Sequence, residues 1–210
     1  MDNTSGLVNA PDKLKTGTTT VGLVCSDGVV FASDKRATAW TFIASKDTKK
    51  VFRINDKLAM TIAGGLGDGQ ALVRFIQSEL RLYETREGRT MTVKGAATLL
   101  SNILFGYKMF PFLVQLIIGG VDKKDKKPSL YSLDAVGGVS SEPFISTGSG
   151  SLIAYGVLEA GYKKNKPIKE NIALALKTIN TAMKRDSATG DGIDLVSIDD
   201  SGFKLSLIHI

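Results

Sequence analysis

One histidine and one cysteine are all that this chain has of the two side chains most used in metal binding and nucleophilic catalysis. The histidine, His209, stands one residue from the end of the sequence, where chains tend to fray, so neither a Ser-His-Asp triad nor a Cys-His pair is expected. Zinc sites built on histidine and cysteine fail for the same shortage, and no metal or cofactor is implied. Lone Cys25 cannot close an intrachain disulfide; it fits a reducing compartment and reads as a core residue. Also missing is any run near the roughly 18 to 20 uninterrupted apolar residues of a membrane span. Residues 1–17 (MDNTSGLVNAPDKLKTG) lack the apolar run of a secretory signal, so a cytoplasmic protein without membrane contact is expected. The net charge of +6 does not point to nucleic acid, because its lysines are dispersed. The two clusters, DKKDKKP at 122–128 and YKKNKP at 162–167, adjoin prolines and carry no interleaved aromatics for base stacking, so both read as solvated turns. Any hydrolytic chemistry must then use Thr, Ser, Lys, Asp or a terminal amine.

At 210 residues with 43% apolar side chains, the chain is long enough for one domain with a sizeable core. After the polar leader, TTTVGLVC at 18–25 and GVVFASDKR at 28–36 are β-branched runs around a Ser26-Asp27-Gly28 turn. Two more strands are expected at 50–55 and 57–63. The period then becomes helical over 68–84 and again over 92–109, where Val93, Ala96, Leu99, Leu100, Ile103, Leu104 and Tyr107 lie along a broad apolar face. Strands follow at 113–121, 129–134 and near 143–147, helices at 151–163 and 167–185, and a closing hairpin at 192–198 and 203–208. Antiparallel hairpins alternating with helix pairs predict an α+β fold, a four-layer αββα sandwich with two antiparallel sheets between helix pairs.

The segment KTGTTTVG at 15–22 carries the chemistry best suited to this inventory. If the Gly17–Thr18 bond is cut, Thr18 gains a free α-amine beside its hydroxyl, and an amine with pKa about 8 is a general base poised near neutrality. A threonine activated by its own terminal amine is a known nucleophile class. GGLGDGQ at 64–70 lacks the GxxxxGK[ST] pattern of a phosphate loop.

Beyond Gly17, the blocks SDKRAT at 33–38, KKVFRI at 49–54, MTIAGGLGDGQ at 60–70, ATLLSNIL at 97–104, FPFLVQLIIGG at 110–120, STGSGS at 146–151, AYGVLEAGY at 154–162 and KRDSATGDGIDL at 184–195 run in order. Together with GTTTVGL they resemble archaeal proteasome β subunits, which are threonine proteases of the N-terminal nucleophile hydrolase fold. The resemblance implies a propeptide of residues 1–17, removed by autoprocessing at Gly17–Thr18, and a mature catalytic domain of residues 18–210. It implies Thr18 as nucleophile, Asp34 and Lys50 as its charged partners, and Gly64 as the backbone donor to the oxyanion. Ser149, Asp186 and Thr189 complete the network; Thr189 stands where many relatives have serine. Ala37, Ile62 and Leu66 would line an uncharged specificity pocket bordered by Thr38, Thr48 and Gln70, giving a preference for cutting after apolar residues. The partners implied are other β subunits in a seven-membered ring, a second β ring, capping α-subunit rings, a regulatory ATPase acting through the α ring, and unfolded protein substrates. Two alternatives stay open: a non-catalytic structural β subunit, and the related two-tier bacterial protease.

Overall fold

The structure, a computed structural model, describes residues 17–208, so most of the leader and His209 lie outside it. In chain order the elements are β1 (Thr19–Val24), β2 (Val29–Asp34), β3 (Ala37–Ala39), β4 (Phe42–Ser45), β5 (Val51–Asn55), β6 (Leu58–Gly64), α1 (Leu66–Glu87), α2 (Val93–Gly106), β7 (Val114–Val121), β8 (Pro128–Leu133), β9 (Val139–Ser140), β10 (Phe144–Gly148), α3 (Ser151–Gly161), α4 (Ile168–Met183), β11 (Ile193–Asp199) and β12 (Gly202–Ile208). Two five-stranded antiparallel sheets, ordered β10-β1-β2-β11-β12 and β5-β6-β7-β8-β9, account for most of the strands, and β3-β4 is a separate hairpin.

Period-two alternation assigns each strand residue to a layer interface. On β2, Val29 and Phe31 pack between the sheets with Ala59, Ile117, Leu130 and Val196, while Val30 and Ala32 pack under α3 and α4 with Ala154, Leu158, Ala175 and Ile179. On β7, Ile117 faces the other sheet, whereas Leu116 and Ile118 join Leu72, Ile76, Leu100 and Leu104 beneath α1 and α2. Three cores thus separate four layers in the order helices, sheet, sheet, helices, which is the expected αββα sandwich. Each fully buried aliphatic supplies about 1.5–3 kcal/mol, so the sheet faces, with little of their surface wet, are the main source of stability. No helix among the described residues is long and apolar enough to cross a membrane.

Several boundaries differ from expectation for local reasons. Helix α1 runs on to Glu87 and stops where Gly88 takes a left-handed conformation and returns its N–H to the Glu84 carbonyl. Helix α2 ends at Gly106, three residues early, with Tyr107 closing the last turn. The hairpin of β3 and β4 and the two-residue β9 were not anticipated; strands of three, four and two residues are too short for a period to show in the sequence.

The antiparallel registers bring one set of element ends together. The start of β1 lies beside the end of β2 and the end of β10, since Thr20 pairs with Ser33 and Thr19 with Gly148. Ile193 at the start of β11 pairs with Asp34. In the second sheet the start of β5 meets the end of β6, with Val51 opposite Thr61.

Candidate active site

At this shared end, three consecutive threonines divide the work where β1 begins. Thr18, Thr19 and Thr20 are all buried. The Thr20 hydroxyl points between the sheets and bonds Thr61 and Thr147 at 3.0 and 2.7 Å, tying both sheets together under the site. The Thr19 hydroxyl lies 2.7 Å from that of Thr189. Thr18 donates its hydroxyl to the Gly17 carbonyl at 2.6 Å and its amide N–H to Ser149 Oγ at 3.2 Å. The hydroxyl thus sits on the carbonyl of the bond that precedes it. Gly17 has no room for a side chain, because a Cβ there would lie 1.8 Å from the Ala188 Cβ, and its N–H donates to Thr38 Oγ1 at 2.7 Å.

Beside Thr18 is a buried ion pair. Lys50 Nζ donates to Asp34 Oδ1 at 2.7 Å, and their side chains are only 4% and 0% exposed. Asp34 also accepts the Thr19 N–H on Oδ1 and the Arg36 and Gly190 N–H groups on Oδ2, so both carboxylate oxygens are satisfied. Burial pushes the Asp34 carboxyl above its ordinary range, opposed by Lys50 and by the backbone donors. Burial likewise pushes the Lys50 ammonium down, opposed mainly by Asp34. A lysine so placed gives up a proton more readily than one in water. Of its three donors, one goes to Asp34, one to the Arg36 carbonyl at 2.5 Å, and a long contact of 3.5 Å reaches the Gly17 carbonyl.

On the other side of Thr18, the Asp186 carboxylate after α4 accepts Ser149 Oγ at 2.5 Å and Thr189 Oγ1 at 2.6 Å. Serine and threonine hydroxyls both make this bond, so the added methyl of Thr189 leaves the network closed. Gly64 ends β6 with φ of +109°, and a Cβ there would lie 2.2 Å from the Leu113 carbonyl, so both conformation and space demand glycine. Gly64 joins Gly17, Thr18, Ala37, Thr38, Thr48, Lys50, Ile62 and Leu66 around a cavity of about 50 Å³. Every residue expected to line or border the pocket is there except Gln70, which lies on α1 one turn beyond Leu66 and outside this lining. A larger depression of about 410 Å³ at the far end of the second sheet, among Glu84, Arg89, Asp122 and Lys123, contains none of the candidate site residues.

Residues not singled out in the sequence support this arrangement. Arg36 holds Asp191 through Nε at 2.6 Å and through a second nitrogen at 3.2 Å, and donates to the Ser187 carbonyl, clamping the loop after α4 against the end of β2. Lys35 pairs with Asp47 at 2.5 Å, and its carbonyl accepts the Thr48 N–H, fixing the approach to Lys50. Arg36 and Lys35 lie inside SDKRAT and Thr19 inside GTTTVGL, so the motifs contained them without marking their tasks. Among the described residues no cluster of three or more His, Cys, Asp or Glu side chains is arranged to hold a metal ion.

The proteasome subunit family matches residues 14–198. The chain belongs to that family. Among curated relatives, it is 53% identical to a proteasome subunit beta of Archaeoglobus profundus over 193 residues, 91% of this chain and 89% of the relative. The same 53% identity extends over 194 residues to a proteasome subunit beta of Methanosarcina barkeri, 92% of this chain and 91% of that one. With Methanocaldococcus vulcanius it is again 53%, over 190 residues, 90% and 85% of the two chains. The matches support the archaeal-type β branch of the family, and the αββα sandwich agrees with it.

Proposed function

We propose that this β subunit is a threonine-type endopeptidase of the proteasome core particle that first cuts its own Gly17–Thr18 bond. The observation that carries this reading is the Thr18 hydroxyl held 2.6 Å from the Gly17 carbonyl oxygen and flanked by a buried lysine–aspartate pair. In processing, Thr18 Oγ1 attacks the Gly17 carbonyl carbon and hands its proton to a water, which delivers it to the Thr18 nitrogen as that nitrogen leaves; the first product is a tetrahedral oxyanion beside the Gly64 N–H. Collapse with protonation of the Thr18 nitrogen breaks the C–N bond and leaves an ester. Water then hydrolyses the ester, releasing residues 1–17 with the Gly17 carboxylate and freeing the Thr18 amine. Loss of Gly17 also removes one wall of the 50 Å³ cavity and ends the long Lys50 contact. The third Lys50 donor then turns to Thr18 Oγ1.

In turnover the same oxygen attacks a substrate carbonyl, with the α-amine taking the proton through water and passing it to the leaving amine. Lys50, charged and balanced by Asp34, lowers the hydroxyl pKa, and Ser149 and Asp186 orient the amine. Ala37, Ile62 and Leu66 offer no charge to a substrate side chain, which favours cleavage after apolar residues. The mature domain, residues 18–210, would work in the cytoplasm within a seven-membered β ring stacked on a second, capped by α rings and fed unfolded protein by an ATPase. A purely structural β subunit would have no physical need for Gly17, Thr18, Asp34 and Lys50 in this geometry.

The test is Thr18→Ala co-expressed with α subunits. The variant should keep residues 1–17 and leave a fluorogenic peptide uncut, since one hydroxyl serves both reactions. Normal hydrolysis by a homogeneous variant particle would overturn the proposal.

A further inference from the structure

The chemistry above leaves Thr19 without a part, yet its side chain is fully buried and strand alternation sets it with Val21 and Leu23 toward the helices. Its Oγ1 lies 2.7 Å from Thr189 Oγ1, Thr189 Oγ1 lies 2.6 Å from Asp186 Oδ2, and Ser149 Oγ reaches the same carboxylate oxygen at 2.5 Å. Proton counting fixes the direction of each bond. An ionised carboxylate only accepts, so Ser149 and Thr189 both donate to Asp186. Each hydroxyl has one hydrogen, and that of Ser149 goes to Asp186 at 2.5 Å in preference to the Thr18 carbonyl at 3.2 Å. Thr19 must therefore donate to Thr189, and Ser149 must accept from the Thr18 N–H at 3.2 Å. Two hydrogen-bond chains, one from each threonine, converge on one carboxylate oxygen.

The backbone of the same residue serves the other carboxylate. The Thr19 N–H donates to Asp34 Oδ1 at 2.9 Å, the oxygen that holds Lys50. The space around the hydroxyl is kept open by Gly150, where a Cβ would lie 2.1 Å from Thr19 Oγ1 and 3.2 Å from Asp186 Oδ2. We infer that Thr19 is a positioning residue, whose N–H and hydroxyl hold Asp34 and Asp186 in fixed relation across the Thr18 nucleophile. It touches no reacting atom and acts through Asp34 and through the pair Thr189 and Asp186. The inference rests on the threonine-protease reading.

The experiment compares Thr19→Val, Thr19→Ser, Thr189→Val and the double variant Thr19→Val with Thr189→Val, each co-expressed with α subunits. Leader removal is read by intact mass, and kcat and KM on one fluorogenic peptide. Thr19→Val should lower kcat about tenfold with KM within about twofold, because the lost bond orients the amine and does not bind substrate. Thr19→Ser, which keeps the hydroxyl, should stay within about threefold of the parent. The double variant should be no more than about twofold slower than Thr189→Val, as expected for two members of one chain of bonds. If Thr19→Val yields no particle, Gly150→Ala, which displaces the same hydroxyl, is held to the same kcat and KM expectations. Unchanged kcat, failure of serine to restore it, or additive losses would overturn the role of Thr19. A parent particle that keeps its leader or cuts no peptide would count against the threonine-protease reading instead.

Discussion

Removing Lys50 should leave a signature in stability as well as in rate. Lys50→Ala strips the counter-charge from a carboxylate that is 0% exposed and leaves Asp34 with three backbone N–H donors. Breaking a buried pair by deleting one partner costs about 3–5 kcal/mol, and the surviving donors place this case near the low end, about 3 kcal/mol. For a domain of this size that is roughly 6–12 °C in Tm. Its pH dependence has a fixed sign. Burial already raises the Asp34 carboxyl above its ordinary value of 3.8, and loss of Lys50 removes the strongest opposing pull. A carboxyl whose folded pKa is raised has its stability contribution intact below the unfolded pKa and loses it as pH rises through the folded pKa. The Tm deficit of Lys50→Ala against the parent should therefore be larger at about pH 8 than at about pH 5, measured by thermal unfolding in matched buffers. Turnover should be absent at both. Lys50→Arg should not restore it, because a bulkier planar guanidinium cannot take the place of a compact ammonium between Asp34 and Thr18. A Tm deficit independent of pH, or near-parent rates for the arginine variant, would refute the reasoning.

Gly64→Ala should lower kcat by about 100-fold, since its Cβ collides with the Leu113 carbonyl and moves the N–H assigned to the oxyanion; unchanged kcat would remove Gly64 from the mechanism. Peptides differing only before the scissile bond should show higher kcat/KM for leucine or tyrosine than for glutamate or arginine, and the reverse order would refute the pocket assignment. Burial would raise the Asp199 carboxyl, but bonds from Lys204 and Ser201 outweigh it and hold the group at about 2, stabilising the β11–β12 hairpin. Asp199→Asn should therefore cost about 1 kcal/mol near neutrality after allowance for solvent screening, and the difference should vanish as pH falls from about 4 to 2. Burial pushes the Cys25 thiol up to about 11 against a bond from Asn171, so an alkylating reagent at about pH 8 should label it only after unfolding.

The layer order was legible because β-branched runs and helical periodicity are strong where a face is buried, as in Val29–Asp34 and Leu66–Glu87. The hairpin of β3 and β4 was not, although Ala37 and Thr38 line the cavity. Its register shifts between those two residues, Trp40 adopts a left-handed φ of 60°, and Phe42 is exposed, so no periodic signal survives. Among candidate site residues, Thr18, Asp34 and Lys50 were legible through motif resemblance, while their meeting depends on registers between strands far apart in sequence. Arg36 and Thr19 were missed for a different reason. A surface-type arginine and a strand threonine carry no local mark of their partners, Asp191 and Thr189, which lie more than 150 residues away.

The central claim is that Thr18 becomes the first residue by the chain's own chemistry, and the intact mass of the subunit purified from a particle assembled with α subunits tests it most directly. A mass lacking residues 1–17, with the Thr18→Ala subunit retaining them, is the predicted result. A full-length subunit, or one cut at another bond, in a particle that nonetheless hydrolyses peptides would contradict it.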